Sequence, residues 1–310
     1  IKSAIDSGAA AILTDDPSLA LPDSHHPVAL LIAGDIRLAA AQLAERFYGN
    51  PSSKLTVIAV TGTKGKTTTT FLIHQILNAL GIRCGLIGTV QIDDGIEVAP
   101  ASLTTPPALE ISRTMARMVE SGCRACAIEV SSHSLHQRRV EAIAFRAAAF
   151  TNLTGDHLDY HGTMEHYAEA KAMLFDALPA EAIAIVNIAD PAHSRMVRST
   201  KARILRCALD TPLAIRGGTA PDSHFTARIV AAGAAHTDVE FAGPWGKHPC
   251  RLPLVGAFNV LNALQAVTAV HALFGGTGED DFSFSIIAEA LSHAAPPPGR
   301  LEIVSAADAP

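Results

Sequence analysis

A glycine-rich turn after a strand-like run is the stretch whose residues are best suited to chemistry. The turn is Thr61-Gly62-Thr63-Lys64-Gly65-Lys66-Thr67-Thr68. Its glycines let the backbone turn N–H groups inward, Lys66 brings a cation to the β- and γ-phosphates, and the Thr67 hydroxyl can ligate Mg²⁺. The apolar run 55–60 precedes the turn, and helical spacing follows as far as Gly81. This order predicts a phosphate-binding loop at a helix N-terminus.

The spacing differs from that of the general nucleotide loop G-x-x-x-x-G-K-[ST], because Val60 stands where the first glycine would be. A shorter phosphate loop fits the residues. The alternative is a structural Gly/Thr turn between a strand and a helix. The order of strand, glycines, Lys-Thr and helix favours the phosphate loop over that alternative.

Glu129 closes a second apolar run, residues 125–130, which reads as a buried strand. Parallel sheets bind ligands at the carboxyl ends of their strands, where Glu129 would lie. A buried carboxylate needs a partner, and a metal ion is the first candidate. A glutamate that faces solvent at the strand end is the alternative.

The segment 151–162 is the densest polar cluster, with two histidines, two aspartates and an asparagine after another apolar run. This composition favours a site for a hard cation and phosphate, with His157 as a candidate ligand. An ordinary surface position remains open for the histidines, above all for His161. Lys171 lies on the next predicted helix among alanines, where a lone lysine is usually a surface residue whose stem packs on its neighbours.

Composition excludes several classes of protein. The 310 residues are 48% hydrophobic and carry a formal net charge of −6, which favours a globular chain of about two domains and disfavours nucleic-acid binding by charge alone. Five cysteines include one C-x-x-C pair, Cys123 and Cys126. With no second pair beside them, a metal or redox role is disfavoured and buried thiols are expected. We identify no signal peptide and no membrane-spanning run, and predict a cytoplasmic monomer.

Strand-like and helix-like runs alternate along the chain, which predicts an α/β fold with a mostly parallel sheet flanked by helices. Residues 1–50 read as part of a smaller α/β unit that ends at the linker-like segment 49–53. Residues 203–255 carry short β-prone runs and predict a small antiparallel edge. We therefore expect a partial N-terminal domain at 1–50, a central nucleotide-binding domain at 51–302, and the start of a linker at 303–310.

Six segments together resemble the successive signatures of the Mur ligases, which use ATP to join amino acids to a nucleotide-linked peptidoglycan precursor. They are Gly62-Thr63-Lys64-Gly65-Lys66-Thr67-Thr68, Leu103-Thr104-Thr105-Pro106, Glu129-Val130-Ser131-Ser132-His133-Ser134-Leu135, residues 151–171, Gly256-Ala257-Phe258-Asn259-Val260-Leu261-Asn262, and Gly299-Arg300-Leu301-Glu302. They cover nearly the whole chain. The Leu-Thr-Thr-Pro and His-Leu-Asp-Tyr-His segments most resemble the members that add the third amino acid.

The resemblance implies roles for the matching positions. Lys66, His157 and Lys171 are the implied catalytic residues, and Lys171 matches a lysine that these ligases carbamylate, for which a desolvated, neutral amine is needed. The implied metal ligands are Thr67, Glu129, His157 and Lys171. The implied ATP contacts are Gly62, Thr63, Lys64, Gly65, Lys66, Thr67, Thr68, Asn262 and Arg300. The implied contacts to the muramoyl peptide are Thr104, Thr105, Ser131, Gln137 and Arg139.

The activity that the resemblance implies is ATP- and Mg²⁺-dependent amide-bond formation on UDP-N-acetylmuramoyl-L-alanyl-D-glutamate through an acyl phosphate, in peptidoglycan synthesis and hence in cell shape and division. The family's amino-acid-binding domain would lie beyond Pro310, so we expect this chain alone to be inactive. Related ligases remain alternatives, namely one similar to cyanophycin synthetase or to folylpolyglutamate synthetase. A non-catalytic Mur-like nucleotide-binding module is the alternative from a different class.

Overall fold

The computed structural model describes residues 1–210, 224–275 and 282–299. Within these ranges the strands form two sheets. The smaller sheet pairs β1 (Ala11–Thr14) and β2 (Ala29–Ile32) in parallel. The larger sheet contains β3 (Thr56–Thr61), β4 (Cys84–Ile87), β5 (Gln91–Asp93), β6 (Val98–Pro100), β7 (Ala125–Glu129), β8 (Phe145–Phe150), β9 (Ile183–Asn187), β10 (Arg203–Leu209), β11 (His224–Ala232), β12 (Thr237–Gly243) and β13 (Gly246–Leu252).

Helices cover both faces of the larger sheet. The helices of the described ranges are α1 (Lys2–Asp6), α2 (Ile36–Phe47), α3 (Lys66–Ala79), α4 (Ala108–Glu120), α5 (Ser132–His136), α6 (Leu158–His161), α7 (Met164–Asp176), α8 (His193–Met196), α9 (Ala257–Phe274) and α10 (Phe284–Ser292), with a 3₁₀ turn at Pro51–Lys54. The predicted α/β fold is confirmed.

The order of the larger sheet is β13-β12-β11-β10-β9-β8-β3-β7-β4-β5-β6. Pairing is parallel from β4 across to β11 and antiparallel at both ends. The predicted antiparallel edge is therefore present in β11 to β13, but β10 belongs to the parallel part. The hairpin of β5 and β6 at the opposite end was not predicted, because the run 84–90 reads as one strand. In the structure the chain turns after Ile87, where Gly88 N donates to Gln91 O, and β5 begins at Gln91.

The alternation of side chains on β3 explains the two cores. Ile58 and Val60 pack on one face with α3 and α9. Val57 and Ala59 pack on the other face with α4 and α7. A central parallel strand is buried on both faces, which is why the sequence of β3 is continuously apolar rather than alternating.

The register of β3 with its two neighbours brings the candidate site together. Val60 pairs with Glu129 of β7, and Thr61 pairs with Phe150 of β8. The strands are parallel, so the glycine-rich turn, Glu129 and the segment that begins at Thr151 all emerge at the carboxyl edge of the sheet. Ligands of open α/β sheets bind at this edge.

The N-terminal segment is tied to the central sheet through a buried carboxylate. Glu45 on α2 is 5% exposed. Its Oε1 accepts from the backbone N and the hydroxyl of Ser52, and its Oε2 accepts from the hydroxyl of Ser112 on α4. These three bonds compensate the cost of burying the carboxylate. The domain boundary at residues 49–53 stays a prediction.

Helix α9 is long and apolar enough to cross a membrane by length and composition, and it is the one such helix in the described ranges. A run of this length was not expected from the sequence. However, 67% of the helix is buried inside the protein, and the buried side chains include Asn259, Asn262 and Gln265. A core helix passes the same test, so the finding is weak evidence for a membrane span.

Candidate functional site

The glycine-rich turn joins β3 to α3, as the sequence predicts. Helix α3 begins at Lys66, and its N-cap Gly65 has φ 86°. The backbone N–H groups of a first helical turn have no intrahelical acceptor and carry the positive end of the helix dipole. Thr67 and Thr68, in that turn, line a cavity of about 770 Å³. The start of α3 is therefore suited to bind an anion.

Both glycines of the turn are required by close approaches of other segments. Gly62 has φ 148°, and a Cβ there would lie 1.9 Å from the Thr151 hydroxyl. A Cβ on Gly65 would lie 2.5 Å from Oδ1 of Asn262 on α9. The second contact locates Asn262 directly against the turn, where the resemblance implied a nucleotide contact. Asn262 also lines the cavity.

Hydrogen bonds connect the segment after β8 to the glycine-rich turn. The side-chain amide of Asn152 accepts from Lys64 N and donates to Lys64 O, both over 3.0 Å. The Thr151 hydroxyl donates to the same Lys64 oxygen. Thr63 N donates to Asn152 O over 2.8 Å. The conformation of the turn thus depends on residues that lie about 90 positions downstream in the sequence.

Lys66 folds back over the turn. Its Nζ donates to the carbonyl oxygens of Gly62 and Thr63 over 2.9 and 3.0 Å. Its Nζ is therefore held beside the cavity that the turn lines. A charge-assisted bond from this ammonium group to a phosphate oxygen would be stronger than a bond to a neutral carbonyl.

Glu129 is fully buried rather than facing solvent. Its Oε1 accepts from Thr89 N over 2.7 Å, while its Oε2 lies 3.2 Å from the Thr67 hydroxyl and 3.0 Å from the Thr89 hydroxyl. Protein donors therefore already satisfy the carboxylate. Thr67 and Glu129 line the same cavity and supply hard oxygen atoms, the donor type that Mg²⁺ prefers.

Lys171 on α7 is 1% exposed, so it is not the surface lysine that residue type alone would suggest. Its Nζ donates to the carbonyl oxygen of Gly62 over 3.0 Å and lies 4.6 Å from the centroid of the Tyr167 ring. Burial first, and then the charge of Lys66, lower the pKa of the Lys171 ammonium well below 10.5. The chemistry that carbamylation requires, a deprotonated amine, is thus favoured at this position.

Some residues of the polar segment 151–162 line the cavity and others do not. Thr151, Asn152, Thr154 and Asp156 line the cavity. His157 does not line it; this residue has φ 53°, and its ring lies 4.9 Å from that of His133. His161 is buried and its Nε2 lies 2.9 Å from the Ser132 hydroxyl, so the surface alternative for His161 is wrong. No cluster of three or more His, Cys, Asp or Glu side chains able to hold a metal occurs in the described ranges.

The five residues implied to hold the muramoyl peptide form one connected network beside Glu129. The Thr89 hydroxyl lies 3.0 Å from the Thr104 hydroxyl. The Thr105 hydroxyl donates to the Glu129 carbonyl oxygen over 2.8 Å and accepts from Ser131 N.

Arg139 completes this network. It donates through Nη1 to Thr105 O over 2.7 Å, and through Nε and Nη2 to Gln137 Oε1. The fold therefore brings Arg139 into contact with Thr105, which lies about 35 positions earlier in the chain.

Three contributors to the site were not assigned from the sequence. Thr89 binds Glu129 through backbone and side chain. The Tyr167 hydroxyl lies 3.1 Å from the Thr63 hydroxyl, and Phe258 lines the cavity although it is 61% exposed. None of the three carried a usable signal, and Thr89 falls inside the run 84–90 that reads as one strand. Arg300, an implied nucleotide contact, lies outside the described residues, and the five cysteines are buried free thiols, as expected.

Comparison with known proteins gives consistent matches. Residues 60–270 match the Mur ligase middle domain. The chain is 43% identical over 271 residues to a UDP-N-acetylmuramoyl-L-alanyl-D-glutamate--2,6-diaminopimelate ligase of Chlorobaculum tepidum, covering 86% of this chain and 52% of that protein. It is 40% identical over 310 residues to the ligase of the same name from Geobacillus kaustophilus, covering 98% and 58%.

A solved structure of a ligase with that name superposes with a TM-score of 0.81 at 26% identity and covers 98% of this chain and 58% of the other. The chain thus spans a little over half the length of the relatives it matches. The match to the family model covers most of the cavity's lining, from the glycine-rich turn to Asn262. The chain therefore belongs to the Mur ligase family.

Proposed function

We propose that this chain is the ATP-binding central part of a ligase that adds the third amino acid to UDP-N-acetylmuramoyl-L-alanyl-D-glutamate. The observation that carries the proposal is the single cavity of about 770 Å³ in which the phosphate loop, Glu129 and Thr104 meet. A nucleotide and an acceptor carboxylate need such a shared space, because the carboxylate must approach the γ-phosphate. The two anions repel, so positioning and charge neutralisation carry most of the catalysis.

The site residues of this chain have separate tasks in the proposed reaction. The loop from Gly62 to Thr68 and the N-terminus of α3 bind the phosphates, and Asn262 contacts the base. Lys66 turns from the carbonyl oxygens of its own loop to the phosphates. Gln137 and Arg139, with Thr104, Thr105 and Ser131, hold the acceptor so that its carboxylate faces the γ-phosphate. The acyl phosphate so formed is then attacked by the amine of the incoming amino acid.

Mg²⁺, held by Thr67 and Glu129 together with His157 and a carbamylated Lys171, would neutralise phosphate charge. The oxygen atoms of Thr67 and Glu129 fit this role because they are within 3.2 Å of each other at the cavity. The buried amine of Lys171 fits carbamylation because its pKa is lowered by burial. The tasks of His157 and Lys171 rest on the family resemblance, since neither side chain lines the cavity.

Residues 1–50 would be part of the N-terminal domain that binds the uridine end, residues 51–302 the central domain, and residues 303–310 the beginning of a linker. The relatives are named for 2,6-diaminopimelate, and we propose this amino acid as the third substrate. The reaction belongs to peptidoglycan synthesis in the cytoplasm, and we propose that the enzyme acts as a monomer.

The test is the release of phosphate by the full-length ligase with ATP, Mg²⁺, the UDP-linked dipeptide and diaminopimelate. We expect release to require all three substrates and to be abolished by Glu129→Gln, which keeps the side-chain shape. Glu120→Gln, at the exposed end of α4, is the matched control and should leave the rate unchanged. ATP binding without phosphate release in the complete mixture would instead support a non-catalytic nucleotide-binding module.

A further inference from the structure

Two side chains beside the acceptor network have no role in the proposed function. They are Tyr160, on the short helix α6, and His136, at the end of α5. The Tyr160 hydroxyl lies 2.8 Å from His136 Nδ1 and 3.3 Å from Gln137 Nε2. It therefore stands between an imidazole and the side-chain amide of an implied acceptor residue.

The direction of each bond follows from the chemistry of the groups. The amide nitrogen of Gln137 can only donate, so the Tyr160 oxygen accepts from it. The hydroxyl hydrogen of Tyr160 is then directed to His136 Nδ1, which accepts. This arrangement fixes the amide in one orientation, with Oε1 of Gln137 towards Arg139.

The orientation of Gln137 in turn determines which N–H groups of Arg139 remain for a ligand. Nε and Nη2 donate to Gln137 Oε1 over 3.0 and 2.6 Å, and Nη1 donates to Thr105 O over 2.7 Å. A guanidinium has five N–H groups, so these bonds leave one on Nη1 and one on Nη2. Two such groups suit a carboxylate or phosphate, which a guanidinium binds in bidentate fashion.

Ring contacts and hydrogen bonds together hold Tyr160 in place. The residue is 38% exposed, and both Tyr160 and His136 line a second cavity of about 410 Å³. Its ring lies 4.2 Å from that of His133, 4.9 Å from that of His161 and 5.5 Å from that of His136, measured between centroids. Because the residue is partly exposed, the hydrogen bonds of its hydroxyl add to these ring contacts in fixing its position.

We propose that Tyr160, supported by His136, is a positioning residue that fixes the Gln137 amide and thereby presents Arg139 to the acceptor. The inference rests on the proposed function, in which Gln137 and Arg139 hold the UDP-linked dipeptide. Tyr160 contacts neither the phosphate loop nor Glu129 through any hydrogen bond of the described residues. Its loss should therefore affect the acceptor and spare ATP.

The test is steady-state kinetics of the full-length ligase with Tyr160→Phe, Gln137→Ala, the double variant and Arg139→Ala. We expect Tyr160→Phe to raise the KM for the dipeptide about three- to tenfold, the range of one neutral hydrogen bond, with kcat and the KM for ATP unchanged. The double variant should be no worse than Gln137→Ala, because the hydroxyl acts through that amide. Tyr48→Phe removes a phenolic hydroxyl at the C-cap of α2, outside the acceptor network, and is the matched control.

Each other outcome contradicts the inference in an identifiable way. If Arg139→Ala raises the acceptor KM and Tyr160→Phe does not, the inference is wrong and the acceptor assignment stands. If Arg139→Ala also leaves that KM unchanged, the acceptor assignment fails and the inference fails with it. Additive effects of Tyr160→Phe and Gln137→Ala, or an equal rise in the KM for ATP, would mean that the hydroxyl has a general structural role.

Discussion

Lys66 and Lys171 donate hydrogen bonds to the same acceptor, the carbonyl oxygen of Gly62, over 2.9 and 3.0 Å. Two ammonium groups this close repel each other, and Lys171 is the more deeply buried. Burial, followed by the charge of Lys66, lowers the pKa of Lys171 well below 10.5. The shared carbonyl thus connects the loop that should bind phosphate with a buried lysine whose pKa is lowered.

The lowered pKa predicts a pH-dependent stability. Between the folded pKa of Lys171 and the unfolded value of 10.5, the unfolded state binds one more proton, so the free energy of unfolding rises with pH by about 1.4 kcal/mol per unit. Lys171→Met lacks this slope. We expect the free energy of unfolding of the wild type to rise relative to that of the Met variant as the pH increases through this window, and the difference to become constant above 10.5.

Urea unfolding of residues 1–310 across this pH range, in buffer free of bicarbonate, measures the difference. Lys54→Met changes an exposed lysine of the 3₁₀ turn and should show no such trend. A constant difference between wild type and Lys171→Met would mean that Lys171 is charged in the folded protein.

Carbamylation of Lys171 makes a separate prediction for catalysis. In the full-length ligase, Lys171→Ala should lose most activity while still binding ATP, because the backbone of the phosphate loop stays intact. Short carboxylic acids added to the Ala variant, or the substitution Lys171→Glu, should restore part of the rate by supplying an anion. Phosphate release at low and high bicarbonate is the measurement. Unchanged turnover of Lys171→Ala at low bicarbonate would make the lysine purely structural.

Nucleotide binding should not need the rest of the protein. We expect residues 1–310 to bind Mg-ATP without turning it over, and Lys66→Ala to weaken binding about 10- to 100-fold, the range for hydrogen bonds to a charged group. Isothermal titration calorimetry gives the affinities, with Lys54→Ala as the control. Equal affinity of wild type and Lys66→Ala would contradict the phosphate-loop assignment, and amide formation by residues 1–310 alone would contradict the expected inactivity.

Gly88 supports Glu129 through the absence of a side chain. A Cβ at Gly88 would lie 2.6 Å from Glu129 Oε1, and the carboxylate cannot move away without breaking its bonds to Thr67 and Thr89. Gly88→Ala should therefore destabilise the protein by about 1–3 kcal/mol, the usual cost of overpacking, and reduce phosphate release. Gly34→Ala is the control, because a Cβ there meets no atom within 4 Å. Thermal unfolding with equal midpoints for the two variants would refute the prediction.

The chemistry at the strand ends could be predicted from the sequence because it follows local rules. Lys66 and Thr67 follow the glycine-rich turn at the end of an apolar strand, and Glu129 ends the neighbouring strand. These positions required only the rule that parallel strands bring their carboxyl ends to one edge. The acceptor residues, in contrast, came from the family resemblance and not from any local pattern.

The remaining features depend on contacts between distant segments. The burial of Lys171 arises because α7 carries it under Gly62, 109 residues away in the sequence, and no helical pattern encodes that distance. Thr89 was missed because the turn after Ile87 is specified by a backbone bond to Gln91 rather than by a recognisable turn motif. His157 has a left-handed backbone conformation, which a histidine does not require. Its position outside the cavity could therefore not be predicted from the residue type.

The antiparallel strands at the two ends of the larger sheet bear on aggregation. The outermost strands, β6 and β13, each contain a proline, Pro100 and Pro249, which has no N–H to offer an incoming strand. On β13 the side chains of Lys247 and Arg251 are 72% and 68% exposed and pair with Glu240 and Asp238 of β12, so charged side chains border that edge. Both features disfavour the addition of a further strand at either end of the sheet that the described residues form.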